Sequence, residues 1–294
     1  MEDIVYLNGS LMPLSQASLS PLDYGFFYGY GLFETMRAYS GHIFCLERHL
    51  ARLYRSAKFL GIGLENIPDL KEALYSTLRA NELSSARIRL TLSGGHGEPV
   101  PDVAIKQTPT VFIVARAYVP YPDQVYQHGI KAIVSRIRRN TQSPTSGIKS
   151  LSYLDSLLAR REARAGGADE AILLNEQGLV SEGSTSNIFM ISGNMLFTPG
   201  DGSGIIPGVT REVILELAIS KGIKTMEQKL TLENLIQADE AFCTNSLVEV
   251  LPISRIDEQS VGSGEPGVVT RKLMAAYKEL VERAIVTFGE TGAS

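Results

Sequence analysis

The sequence predicts a mixed α/β or α+β protein in two layered domains, and three observations carry that prediction. Strand-like and helix-like segments alternate along most of the 294 residues, a length that suits two modest domains or one large one. Tyr118-Val-Pro-Tyr-Pro-Asp123 interrupts the alternation with prolines and turn chemistry, the usual signature of a linker. No internal repeat or low-complexity tract is visible, and the composition is that of an ordinary globular protein. The boundaries that follow are a small N-terminal domain over 1–118, an interdomain loop over 119–129 and a larger domain over 130–294.

In chain order, Ile4 to Leu7 is β-rich and runs into Asn8-Gly9, a type I′ hairpin signal, with Leu11 to Leu14 as the return strand. The segment from Ser20 to Gly31 sets aromatics among glycines at 25, 29 and 31, which let backbone come close to another strand, subunit or ligand. It is not a dinucleotide fingerprint, because the spacing differs and a strand follows. Leu32 to Tyr39 alternates as that strand, with Phe33, Thr35 and Arg37 on one side and Glu34 and Met36 on the other. Leu46 to Leu60 reads as a helix, since Leu46, Leu50, Leu53 and Ala57 form one face. Arg48, Arg52 and Arg55 lie near the edge of that face, where arginines commonly snorkel into solvent. His49 reads as a packed or surface histidine. A helix over about 70–81, strands over 86–92 and 110–117, and a glycine loop over 93–97 complete the first domain.

Beyond the linker come strand 130–135, the basic run Arg136-Ile-Arg-Arg-Asn140 and a loop that delivers Lys149. Leu151, Leu154 and Leu158 mark a helical face that ends at Gly166-Gly167. Strands follow over 171–174 and 179–180, then a hairpin of 188–191 with 195–197. A helix runs from Val209-Thr210 to about Ser220. Strand 225–228, a short helix near 232–236, strand 240–244 and a helix near 268–285 close the chain.

Several function classes are excluded at this level. A net charge of −4 offers no polyanion-binding signature. The start MEDIVYLNGS lacks a basic n-region, and no apolar run approaches the roughly 20 residues that span a bilayer. The two cysteines, Cys45 and Cys243, stand far apart among apolar neighbours. A reducing cytosol is therefore expected, with neither a disulfide framework nor a thiolate metal site. The four histidines share no ligand spacing, so no metal is expected. With no Gly-x-Ser-x-Gly elbow beside them, serine hydrolysis is also set aside.

What remains is a set of glycine-and-hydroxyl segments, at 183–187, 207–210 and 243–246, beside predicted strands or at a helix start. Each reads as a turn or N-cap, or as part of a phosphate cradle built on free helical N–H groups. With Arg52 they suit a single phosphate. A phosphate, a special lysine and a buried carboxylate make the set that pyridoxal phosphate requires, with Lys149 and Glu182 as the lysine and the acid.

Several segments carry a resemblance over nearly the whole chain. They are YGYGLFETMR (28–37), ERHLARL (47–53), IKSLSYL (148–154), GADEAILLN (167–175), SEGSTSNIF (181–189), IPGVTRE (206–212), ADEAFCTNS (238–246) and PGVVTRKL (266–273). In this order they resemble the class IV aminotransferases, the fold-type IV pyridoxal-phosphate enzymes. The resemblance implies two α/β domains with the active site between them, a homodimer whose neighbouring subunit closes the pocket, and pyridoxal 5′-phosphate as cofactor. It makes Lys149 the internal-aldimine lysine and general acid/base, which needs a neutral amine, and Glu182 the partner of the pyridine nitrogen. Arg52, Val209, Thr210 and Ser246 match phosphate contacts. Ile206 matches the apolar residue against the ring, Tyr153 the position beside the phenolic oxygen, and Asn187 a support of the glutamate strand. Ser184, Thr185 and Asn245 complete the cofactor set. Tyr28, Phe33, Thr35, Arg37, Arg89 and Leu247 fall where relatives line the substrate pocket, with Arg37 and Arg89 paired to each other, to Glu34 or to a substrate carboxylate.

Substrate choice stays open within the family. IKSLSYL, GADEAILLN and PGVVTRKL resemble branched-chain L-amino-acid aminotransferases. The loop Thr244-Asn-Ser246 and the segment RIRLTLSGG (87–95) are more similar to aminodeoxychorismate lyases. D-amino-acid aminotransferase is a third reading, although the Arg-x-His pair of that group has no good match. A cofactor-free binding protein on the same fold is a fourth.

Overall fold

The computed structural model describes residues 2–98 and 108–291. The chain separates into two compact units, each built on a sheet. The first comprises 1–119, 148–153 and 283–294; the second comprises 120–147 and 154–282. Lys149 and Tyr153 thus belong with the first unit, although the linker signal placed all of 130–294 in the second domain. A proline-rich linker marks where the chain leaves a domain, but it carries no sign of a short segment returning.

The first unit contains strands β1 (Ile4–Leu7) and β2 (Ser10–Pro13), helix α1 (Tyr24–Tyr28), strands β3 (Gly31–Tyr39) and β4 (His42–Ile43), helices α2 (Leu46–Leu60) and α3 (Leu70–Ala80), and strands β5 (Ala86–Ser93) and β6 (Thr110–Ala117). Its sheet runs β2-β1-β6-β5-β3-β4. Because strand side chains alternate, Leu32, Met36, Ile88, Leu90, Val111 and Ile113 share the face packed against Leu46, Leu50, Leu53 and Leu74 of the helices. The opposite face carries Phe33, Thr35 and Arg37, with Arg89 opposite Thr35 and Arg87 opposite Arg37 in register.

The glycine-aromatic segment contains a short helix that the sequence reading did not include. Asp23 caps α1 by accepting the Gly25 N–H at 2.8 Å, and Gly29 ends it at φ 64°. The expected close approach is made by the segment bearing Lys149. Phe33 N–H donates to the Lys149 carbonyl at 3.1 Å, and Leu151 N–H to the Gly31 carbonyl at 2.9 Å. A Cβ on Gly31 would stand 2.7 Å from Leu151 Cδ1 and from the Leu92 carbonyl oxygen. Glycine is what lets this segment lie along β3.

The second unit contains α4 (Asp123–His128), β7 (Ile130–Arg139), α5 (Leu154–Ala165), β8 (Glu170–Asn175), β9 (Val180–Gly183), β10 (Asn187–Ser192), β11 (Met195–Pro199), α6 (Val209–Ser220), β12 (Thr225–Gln228), α7 (Leu232–Ile236), β13 (Glu240–Asn245), β14 (Glu249–Ile256) and β15 (Gln259–Ser260). It also holds α8 (Val268–Thr291) as far as Glu282. The sheet order is β12-β11-β10-β13-β14-β7-β8-β9, with β15 paired to β14. Its core gathers Ile172, Val180, Ile188, Leu235, Ala241 and Leu251.

Two further elements differ from expectation. The region read as an interdomain loop folds into α4, whose Val125 and Tyr126 pack on this core and which Gly129 closes at φ 77°. In α5 the buried face is Ser156, Ala159 and Ala163, whereas Leu154, Leu157 and Leu158 are exposed. Leu151 lies outside the helix, beside β3. Small residues allow the helix close to β7 and β8, and a leucine periodicity cannot tell which apolar stripe faces its own sheet.

Candidate active site

In the first unit, Lys149 is presented by the segment laid along β3. Its Nζ stands 4.4 Å from the Phe33 ring centroid and 5.8 Å from that of Tyr153. The two rings meet edge to face at 5.1 Å. The Arg89 guanidinium lies 3.9 Å from the centroid of the same Phe33 ring. Lysine, arginine and two aromatic rings therefore form one cluster, with half-buried Thr35 opposite Arg89 in register. Arg37 is buried and takes a different course, its guanidinium carbon 4.3 Å from the Tyr39 centroid and 4.8 Å from that of Tyr118. Tyr28, at the end of α1, is 43% exposed and meets Tyr24 edge-on at 5.5 Å.

Glu34 points from β3 towards α2. Its Oε1 accepts the Arg52 Nε–H at 2.8 Å, and its Oε2 accepts Arg52 Nη2 at 2.5 Å and His49 Nδ1 at 2.8 Å. Neither Arg37 nor Arg89 is the partner of Glu34 in these contacts. Arg52 is only 9% exposed, because the helical spacing that puts it at the edge of the apolar face also puts it within reach of Glu34. Burial alone would raise the Glu34 pKa; the Arg52 guanidinium and the hydrogen bonds from His49 and Arg52 outweigh it and hold the carboxyl at about 2. Burial pushes the His49 imidazole below its ordinary value, and the charges of Arg52 and Lys149 add to that against the pull of Glu34. An ionised carboxylate only accepts, so the neutral imidazole carries its proton on Nδ1.

This pair predicts an acid-sensitive stability. A carboxyl at about 2 in the fold against an ordinary 4.5 contributes on the order of 3 kcal/mol, present above the ordinary value and lost as pH falls towards the folded one. His49, neutral in the fold, works in the same direction from its ordinary value downwards. Urea-unfolding free energies measured from about pH 7 to pH 3 are expected to fall steeply in the native chain and less steeply in Glu34→Gln. Equal slopes would remove Glu34 from acid stability.

In the second unit, Glu182 leaves β9 only 5% exposed. The Ile206 N–H donates to its Oε2 at 2.8 Å, and Arg139 Nη2 lies 3.3 Å from its Oε1. Arg139 also donates to the carbonyls of Ser146 (2.5 Å) and Gly204 (3.2 Å). It ties the loop ahead of Lys149, the loop ahead of Ile206 and the Glu182 carboxylate together. The Ile206 carbonyl accepts Asn187 Nδ2 at 2.9 Å. A Cβ on Gly208 would stand 2.0 Å from Asn187 Oδ1, so Asn187 cradles the turn that opens α6. No side chain caps that helix, whose first turn begins with buried Val209 and Thr210. Thr244 lies opposite Asn187 in register, and its buried Oγ1 has no hydrogen-bond partner among the described residues.

The hydroxyl cluster serves another carboxylate. Glu170 accepts the Ser184 N–H at 3.0 Å, the Ser184 hydroxyl, Thr185 Oγ1 at 3.2 Å and Ser186 Oγ at 2.8 Å. Asn245 Nδ2 donates to the Thr185 carbonyl at 3.1 Å, while its Oδ1 accepts the N–H groups of Leu247 and Val248 at 2.9 Å each. Ser184, Thr185, Asn245 and Leu247 therefore brace two adjoining turns, with half-buried Ser246 between them. The sequence reading gave no role to Arg139 or Glu170, and Thr244 entered it only as part of the 243–246 segment. The basic run was the only signal for Arg139, and nothing in composition separates it from Arg136, which is 94% exposed in its side chain.

These groups fit pyridoxal phosphate. A lysine among aromatic rings suits covalent attachment, a buried acid beside Arg139 suits a pyridinium nitrogen, and the open N-terminus of α6 suits phosphate. The orphaned Thr244 hydroxyl lies on the Asn187 side of the sheet.

Comparison with known proteins agrees with this chemistry. The model of the amino-transferase class IV family matches residues 31–256. A putative branched-chain-amino-acid aminotransferase of Methanocaldococcus jannaschii is 39% identical over 283 residues, covering 94% of this chain and 96% of the relative. Aminodeoxychorismate lyase of Bacillus subtilis is 36% identical over 285 residues, covering 96% of each chain. Among solved structures, the branched-chain aminotransferase of the thermophilic archaeon Thermoproteus uzoniensis with norvaline superposes with a TM-score of 0.88 at 34% identity, covering 96% of this chain and 95% of that one. A lysine on β3's flank, a braced acid on β9 and a match that runs through both units make this chain an enzyme of the class IV aminotransferase family.

Proposed function

We propose that the chain is a pyridoxal-5′-phosphate-dependent aminotransferase that moves an amino group from a branched-chain-like L-amino acid to a 2-oxo acid. The observation that carries this is Lys149, whose Nζ lies against Phe33 and Tyr153, an aromatic wall able to shed the hydration of a lysine. When bound, the cofactor supplies an electron sink for a carbanion at the substrate Cα. Lys149 Nζ would be the covalent attachment point for the cofactor and would take up and return the proton at the substrate Cα. Glu182, oriented by Arg139 and the Ile206 N–H, would face the pyridine nitrogen and favour its protonated form. Arg52, the amides and hydroxyl of Val209-Thr210, and Ser246 would hold the phosphate, and Ile206 would supply an apolar contact to the cofactor. Asn187 supports the Ile206 turn, and the braced turns of Ser184, Thr185 and Asn245 set the cofactor's surroundings. Phe33, Thr35 and Arg89 line the substrate side with Tyr28, Arg37 and Leu247.

A lyase releasing pyruvate from aminodeoxychorismate is the second reading, favoured by the Thr244-Asn-Ser246 loop and by the Bacillus subtilis relative. Half-reactions separate the two. Branched-chain L-amino acids are expected to bleach the visible absorbance of the purified yellow protein, and 2-oxo acids to restore it. Pyruvate release from aminodeoxychorismate, with no bleaching by L- or D-amino acids, would move the assignment to the lyase. A colourless protein that cannot be reconstituted would sink both.

A homodimer is part of this reading, supported in the first unit by exposed Phe26, Phe27 and Tyr28 on α1 and, separately in the second, by the exposed leucines of α5, since exposed apolar patches mark interfaces. No helix among the described residues is long and apolar enough to cross a membrane, and a cytoplasmic location fits the cysteine usage.

A further inference from the structure

Behind Arg52 lies a buried polar group to which the reaction gives no task. Glu34 is 1% exposed, on the sheet face whose other β3 residues are Leu32, Met36 and Ala38. An apolar residue there would simply extend the core. A buried ion pair is weak as a source of stability, because desolvating both charges offsets much of their attraction. This pair has the geometry needed to persist, with both oxygens engaged and three donors supplied by two residues one turn apart on α2.

We propose that Glu34, assisted by His49, is the positioning residue that sets the guanidinium of Arg52 for the cofactor's phosphate. The inference rests on the reading that Arg52 binds that phosphate. Glu34 takes the Nε–Nη2 edge of the planar guanidinium side-on, which fixes both the plane and the direction of the opposite edge. A free arginine side chain samples many rotamers, and fixing it costs entropy. Restricting it before the cofactor arrives removes part of the cost of binding. His49 adds a third bond to Glu34 Oε2 and holds the carboxylate in turn. With the imidazole neutral, the trio sums to one negative and one positive charge, so it is tolerable while buried. Glu34 also repels a phosphate, which opposes the effect of orientation. The two effects have opposite signs in one measurement.

That measurement compares pyridoxal phosphate with pyridoxal, which has the same aldehyde and ring but no phosphate. Each is titrated into the full chain stripped of cofactor, following the visible absorbance, and the ratio of dissociation constants reports the phosphate's share. In Glu34→Gln the preference for the phosphorylated form is expected to fall about tenfold, with pyridoxal binding unchanged. A preference that stays constant or rises, or equal weakening for both ligands, overturns the proposal. Arg52→Gln is the control for the underlying reading. If it leaves the preference intact, the phosphate assignment itself fails, and Glu34 has nothing to position. Should Glu34→Gln not fold, His49→Leu is expected to lower the preference in the same direction, and His49→Asn, which keeps an N–H near Nδ1, to restore it. An unaltered preference in a folded His49→Leu overturns the proposal.

Discussion

Replacing Lys149 with alanine is expected to abolish the visible absorbance of the purified protein and to lower turnover by at least about a thousandfold. The size of the effect follows from the two tasks proposed for one amine, covalent attachment of the cofactor and proton transfer at the substrate Cα. The neighbouring cation, Arg89, stays protonated and cannot act as a base. The fold should survive, because the segment is held to β3 through main-chain bonds of Lys149 and Leu151, and the lysine side chain is only half-buried. Borohydride reduction of the native protein should leave a stable adduct on Lys149 and on no other lysine. Turnover in Lys149→Ala within about tenfold of the native rate would take this residue out of the chemistry.

The second large effect concerns Glu182. Glu182→Ala is expected to keep covalently bound cofactor but to lose on the order of a thousandfold in turnover, as when a preorganised charge is removed from a water-poor site. It should also cost about 3 kcal/mol of stability, because Arg139, 15% exposed in its side chain, loses its carboxylate and the Ile206 N–H loses its acceptor. Glu182→Gln separates these contributions. The amide retains an acceptor for Ile206, so most stability should return, whereas the carboxylate proposed to face the pyridine nitrogen does not. Recovery of turnover in the glutamine variant would show that Glu182 acts through shape rather than charge. A near-native rate in Glu182→Ala would refute its assigned role altogether.

Much of this protein was legible in order along the chain. Alternation placed β3 and predicted that Phe33, Thr35 and Arg37 share a face, as they do. The 3.6-residue period placed α2, and the prolines near 120 located the exit from the first sheet. Local chemistry of this kind depends on neighbours a few residues away, and that is what a sequence displays directly. The family segments pointed to Lys149 and Glu182 as the candidate reactive groups, and the match over 31–256 supports the family.

Only the tertiary structure decided which charges meet. The sequence reading offered Glu34 only Arg37 and Arg89 as partners. Its partner is Arg52, because β3 turns Glu34 towards α2 while Arg37 and Arg89 project from the opposite face. Arg139 was one of three arginines in a row of five residues until the fold set it against Glu182. The serines and threonine after Glu182 read more readily as a turn or N-cap than as a phosphate cradle, and the burial of Glu170 beside them directs their hydroxyls to a carboxylate. The leucines of α5 showed an apolar stripe, but small residues won the contact with β7 and β8. The physical reason is common to all four cases. Periodicity specifies a face, whereas pairing and burial depend on what the sheet register brings opposite that face from distant parts of the chain.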